Sequence, residues 1–188
     1  MAHNLLGGST TSHQPGGVSS IVTGDLSASV VKSYNDGRLI GRWCSSTLRG
    51  SNNSITRIVT VYVPCNSKSH GCKTVFAQQQ AALLRSKVGK GVVKRFWLDF
   101  WSEIDKWLEK GERLVVGGDW NRRINDEKFI KEFEQRGMIP AIADRFPDDI
   151  PETYSGGSYP IDEIFVSKSK QLKQCRYIKI IIDMRLSQ

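Results

Sequence analysis

No apolar run in this 188-residue chain reaches the roughly 18 consecutive positions that a membrane-spanning helix needs. Residues Met1 to Gly17 are polar and glycine-rich. They lack a basic start with an apolar stretch behind it, so they do not read as a secretory signal. Histidine is scarce, at three residues (His3, His13, His70), and cysteine nearly so, at four (Cys44, Cys65, Cys72, Cys175). No two cysteines form a CxxC pair. Cys65 and Cys72, with His70 between them, lack the paired spacing of a four-ligand zinc site. Free thiols in a reducing compartment are the expectation, and with them an intracellular setting, nuclear or cytoplasmic. No internal repeat or low-complexity tract appears.

What remains is ordinary for one folded domain with a real core: 39% hydrophobic and 24% charged residues. The charge is uneven in sign. A formal net charge of +8 gives a basic surface, which attracts polyanions through phosphate contacts and counterion release.

The apolar pattern predicts a flexible leader over 1–15 and a domain over 16–188. Loose alternation from Val18 to Val31 reads as one or two strands, Tyr34 to Gly37 as a turn, and Ile40 to Leu48 as the next strand. Gly50 to Ser54 is a hairpin turn. Ile55 to Val63 is β-branched almost throughout, as in a strand covered on both faces, and Pro64 stops it. Asn66 to Lys73 is a polar loop. Thr74 then caps a helix over about 75–86, with Phe76, Ala77, Leu83 and Leu84 inward. A second helix, about Val93 to Lys110, carries seven large apolar residues at spacings of three and four. That periodicity marks a core face and not a base-stacking surface. Next come a short buried strand from Arg113, a helix over 126–137 with Phe129, Ile130 and Phe133 inward, and an extended segment over 138–142. A loop over 146–157 and strands over 160–167 and 175–184 complete the chain. Strands alternate with helices after a hairpin-like start, which predicts a layered α/β or α+β fold with a mixed sheet.

Three segments carry chemistry. Val115-Val116-Gly117-Gly118-Asp119-Trp120-Asn121 ends a buried strand in two glycines, then a carboxylate and a carboxamide two residues apart. Alternation points both side chains to one side. Such a pair can hold a divalent metal or a water and hydrogen-bond a phosphoryl oxygen; it can equally cap a turn. Tyr62, near a strand end, can donate to a phosphate or lie partly buried in the sheet. Asp162, between Ile161 and Ile164, needs a partner: a histidine base to orient, or a salt bridge.

The order of these segments resembles the endonuclease/exonuclease/phosphatase superfamily. The matching blocks are Gly16-Gly17, Val61-Tyr62-Val63-Pro64, Gly117-Gly118-Asp119-Trp120-Asn121 and Pro160-Ile161-Asp162-Glu163-Ile164-Phe165-Val166-Ser167. Further likeness to endonuclease-like domains of retrotransposon-derived reading frames lies in Gln14-Pro15-Gly16-Gly17, Gly41-Arg42-Trp43, Gln78-Gln79-Gln80 and Pro151-Glu152-Thr153-Tyr154. The resemblance implies a four-layer α/β/β/α sandwich and Mg²⁺- or Mn²⁺-dependent phosphodiester hydrolysis on nucleic acid, DNA ahead of RNA. It implies that Asp119 binds the metal and aligns or activates the attacking water. Asn121 and Tyr62 would contact the phosphate, and Asp162 would orient a catalytic histidine. Asn66 stands one position later than the family's asparagine.

Two departures go with it. The family places an asparagine and a metal-binding glutamate before the Gly-Gly strand, where this chain has Asn4 and no glutamate. It ends in a Ser-Asp-His block, about where this chain stops at Leu186-Ser187-Gln188. An incomplete sandwich with weak or no activity is therefore expected. The alternatives are a nucleic-acid-binding module without catalysis and a phosphatase for phosphoinositides or other small phosphoesters.

Overall fold

A computed structural model of the chain describes residues 2–4, 17–65, 74–88, 91–146 and 159–168. Among these, the elements run β1 (Ala2–Asn4), β2 (Val18–Ser20), β3 (Val30–Asn35), β4 (Trp43–Arg49), β5 (Ile55–Tyr62), α1 (Val75–Arg85), α2 (Val92–Glu109), β6 (Arg113–Asp119), α3 (Glu127–Glu134), β7 (Met138–Pro140), α4 (Ala141–Arg145) and β8 (Asp162–Ser167). One mixed sheet has the order β3-β4-β5-β6-β8-β7, and β1 pairs with β2 in a separate ladder. The strands β3, β4 and β5 form an antiparallel meander. The α1–α2 crossover then makes β6 parallel to β5, because a parallel return needs a long connection. Antiparallel β8 inserts between β6 and β7.

Alternation along the strands divides the sheet into two faces. On one, Trp43, Val59, Val61, Leu114, Val116 and Phe165 meet Phe96, Phe100, Ile104 and Trp107 of α2 and Phe129 and Phe133 of α3. The aromatic face of α2 is therefore core, as its periodicity predicts. On the other face Cys44 and Tyr62 pack with Val18 of β2. Helices, the large sheet and the β1–β2 pair thus make a layered α/β sandwich. Among the described residues no helix is long and apolar enough to cross a membrane.

Several elements differ from the sequence reading. The stretch read as strand from Val18 is broken by a 3₁₀ turn at Gly24–Ser29, where Gly24 takes a φ of +63°. The segment read as leader contributes β1, paired antiparallel with β2. Strand β4 begins at Trp43, not Ile40. Asp36 gathers the preceding bend by accepting from the backbone N–H of Arg38 (2.7 Å) and of Arg42 (3.2 Å), while Leu39 and Gly41 turn to positive φ. The Arg42 guanidinium, almost fully buried, then bridges Asp36 (3.1 Å) and Asp99 of α2 (2.9 Å). In α1, Thr74 caps as expected, accepting from Ala77 N–H at 3.1 Å. Leu83 is buried and Phe76 packs beside it, as expected, but Gln79 is buried too and Leu84 is exposed. Gln79 turns inward because its amide donates to the Ile40 carbonyl. Helix α4 follows β7 where only extended chain was expected. The predicted strand over 175–184, Asn66, His70, Cys72 and most of the 146–157 loop lie outside the described residues.

Strands β5 and β6 leave no room for a side chain at Gly118. A Cβ on Gly118 would stand 2.1 Å from the Val61 carbonyl oxygen, a distance no side chain tolerates. Gly118→Ala is expected to destabilise the chain by about 1–3 kcal/mol or more through forced strand separation. Thermal or urea denaturation of the variant measures this. An unchanged midpoint would show that the two strands are not held so closely.

Candidate active site

The strand register that Gly118 permits brings the singled-out residues together. Tyr62 of β5 lies opposite Asp119 of β6, and Asp119 lies opposite Asp162 of β8. The three form one row across adjacent strands, at the C-terminal end of the parallel pair. In open α/β sheets this is the end at which ligands gather. Asp119 lies out of phase with Val116 and Gly118, so the row belongs to the face away from α2, beside Val18 of β2.

Asn121 completes the group by folding back. Its φ is +47°, the left-handed region that asparagine tolerates better than most residues. The bend lets its backbone N–H donate to Asp119 Oδ1 at 2.9 Å and its side-chain Nδ2 donate to the Val63 carbonyl at 2.7 Å. The Val63 N–H in turn donates to the Asp119 carbonyl at 2.9 Å. The Asp-x-Asn segment is thus an Asx-type turn, as one of the two sequence readings had it. Between them Trp120 points the opposite way, fully buried, and its indole N–H donates to the Glu163 carbonyl at 3.0 Å. That anchor fixes the direction of both neighbours.

The electrostatics are those of a crowded anionic site. Burial, with the Asp162 charge adding to it, raises Asp119 from 3.8 to about 6; hydrogen bonds from Asn121 oppose the rise. Tyr62 is raised as well, first by burial and then by the Asp119 charge, with a hydrogen bond from the Asn121 side chain pulling the other way. The phenol is therefore held as a donor at neutral pH.

Two carboxylates and a carboxamide on one face are hard oxygen donors. They suit Mg²⁺ or Mn²⁺, which take one or two carboxylates and keep several waters. A dication would also offset the repulsion that raises Asp119. Among the described residues no three His, Cys, Asp or Glu side chains gather into a group that could hold a metal ion.

Glu163, which the sequence reading left without a role, has a structural one. It is buried on the helix side and accepts from the N–H groups of Ile142 (2.8 Å), Ala143 (3.1 Å) and Ile164 (2.8 Å), so it caps α4. Burial raises its pKa despite these bonds. Strand alternation beside Asp162 was the signal that it would face inward. Cys44 is a buried thiol outside any disulfide, pushed up to about 12 by burial, and Cys65 is exposed.

No protein-family model matches the chain, and no curated protein does. Solved structures do. The human Nocturnin catalytic domain with bound sulfate matches at 17% identity over 74% of this chain and 48% of its own, with a TM-score of 0.40. A β-hairpin deletion mutant of β-toxin from Staphylococcus aureus matches at 15% identity over 71% and 46%, with a TM-score of 0.38. Sphingomyelinase C from Streptomyces griseocarneus matches at 13% identity over 73% and 49%, with a TM-score of 0.34. This chain spans about half the length of each. These likenesses are partial, and the case for the site rests on the chain's own geometry.

A raised carboxyl favours the protonated form in the folded state. Asp119 therefore destabilises the fold progressively as pH rises from about 4, its unfolded value, through about 6. Asp119→Asn should remove that slope and add about 1–3 kcal/mol at pH 7, allowing for partial solvent screening. Urea denaturation of both proteins across this pH range checks it. Parallel curves would mean that Asp119 is not held protonated by its surroundings.

Proposed function

We propose that the chain carries a divalent-metal-dependent site for hydrolysing phosphodiester bonds in nucleic acid, DNA ahead of RNA. The observation that carries this is the in-register row of Tyr62, Asp119 and Asp162 with Asn121 folded against it. The basic net charge of +8 supports a polyanionic substrate.

A Mg²⁺ or Mn²⁺ held by Asp119, with Asp162 alongside, would supply Lewis-acid polarisation of a phosphoryl oxygen. Each side chain has a task that its surroundings suit. Asp119 aligns or activates the attacking water. Asn121, whose amide donates to Val63 and also bonds within the row, would turn toward a non-bridging phosphate oxygen when substrate enters. Tyr62, kept protonated by burial and the neighbouring carboxylate, donates to the phosphate or to the leaving oxygen. Asp162 sits next to Asp119 across the β6–β8 ladder, placed to share the cation's charge or to orient a base.

The test is nicking of supercoiled plasmid in Mg²⁺. Any nicking by the chain should be weak, Asp119→Ala should abolish it, and Asn121→Ala or Tyr62→Phe should lower it by a smaller factor. Equal nicking by the chain and by Asp119→Ala would place the activity elsewhere. Salt-dependent DNA binding with no nicking would favour a module that binds without cutting. Hydrolysis of small phosphoesters with no DNA binding would favour a phosphatase.

A further inference from the structure

The loop after Asn121 is tied to the segment that leads into β8. Trp120 N–H donates to the Ile161 carbonyl at 2.9 Å, and Ile124 N–H to the Pro160 carbonyl at 3.3 Å. Outside this seam the Arg123 guanidinium lies over the Tyr159 ring, 4.6 Å from its centroid. Both side chains are exposed, Tyr159 at 37%. The pair has no packing duty comparable to that of its neighbours. Arg122 covers the buried Phe129 ring and pairs with Asp126 at 3.0 Å. Arg123, by contrast, forms no carboxylate pair among the described residues.

The position is informative. Arg123 follows Asn121 by two residues and Tyr159 precedes Asp162 by three. At no more than about 3.6 Å per residue, the two Cα atoms lie within about 7 Å and 11 Å of those of the site residues. A cation backed by an exposed aromatic face therefore borders the row of Asp119 and Asp162. Aromatic faces with an arginine beside them bind unpaired bases by stacking, with little regard to sequence, and the arginine adds a phosphate contact.

We propose that Arg123 and Tyr159 form a stacking platform for an unpaired base flanking the phosphate bound at Asp119 and Asn121, so that the site favours DNA that is single-stranded or locally opened there. This rests on the phosphodiesterase reading above and narrows its substrate. Tyr159 supplies the ring face; Arg123 fixes the ring and contacts the backbone of the flanking nucleotide.

The experiment is fluorescence anisotropy with a short fluorescein-labelled single-stranded deoxyoligonucleotide, without added divalent cation, over a series of salt concentrations. A matching oligonucleotide of abasic sites is run beside it. Tyr159→Ala should weaken binding of the base-containing strand about five- to a hundredfold, leave the abasic strand unchanged and keep the salt slope. Tyr159→Trp should restore binding. Arg123→Ala should weaken both strands and lower the salt slope by about one. Circular dichroism melts confirm that each variant is folded, as expected for exposed positions. If the chain binds the strand and Tyr159→Ala binds it equally, the platform is wrong while the phosphodiesterase site stands. If the chain binds no oligonucleotide but still binds Mn²⁺ through Asp119, both the platform and the nucleic-acid substrate fall, and the metal site survives.

Discussion

Strands β5 and β6 approach so closely at Gly118 that the Val61 carbonyl occupies the place a side chain would take. Everything at the candidate site depends on that approach. It holds the parallel register in which Tyr62 meets Asp119, and through the β6–β8 ladder it places Asp162 next to them. Trp120 then drives into the core and locks the strand end, so the residues on either side of it must face the opposite way. A strand that ends in two glycines leaves room for neither slack nor substitution. That rigidity is what a site needs if its donors are to be aimed before a ligand arrives.

The same fold keeps two kinds of aspartate. Asp99 is partly buried, which alone would raise it, yet bonds from Arg95, Arg38 and Arg42 hold its carboxyl well below the usual range. It fastens the bend before β4 to α2 and stays ionised. Asp119 is also buried, but its neighbour is a second carboxylate, and its pKa moves up toward neutrality. Structural carboxylates find cations within the protein; a carboxylate crowded by another is set up to receive one from outside. The contrast separates the ion-pair network around Arg42 from the row that we propose binds a metal and a phosphate.

Much of this was legible in the sequence. The β-branched run of β5, the aromatic periodicity of α2, the Thr74 cap and the Gly-Gly-Asp strand end all carry local signals, and local signals survive folding. The turn at Asp36 and Gly37 was legible, but its continuation to Arg42 was not, because a buried arginine there reaches Asp99 far along the chain. The burial of Gln79 was not legible for a similar reason, an amide bond to the distant Ile40 carbonyl. For the site, Tyr62, Asp119, Asn121 and Asp162 were each ambiguous alone. Only strand register could show that three of them share one row. The Arg123–Tyr159 pair had no sequence signal, since its partners come from separate segments joined by backbone hydrogen bonds.

If Asp119 and Asp162 hold one cation between them, removing either charge must weaken it. Electron paramagnetic resonance of Mn²⁺ titrated into the folded chain reads that directly. One bound Mn²⁺ is predicted, with affinity reduced at least about tenfold in both Asp119→Asn and Asp162→Asn and unchanged in Asp105→Asn, whose carboxylate serves only a surface pair with Arg136. Mn²⁺ bound equally well by all four proteins would contradict the account.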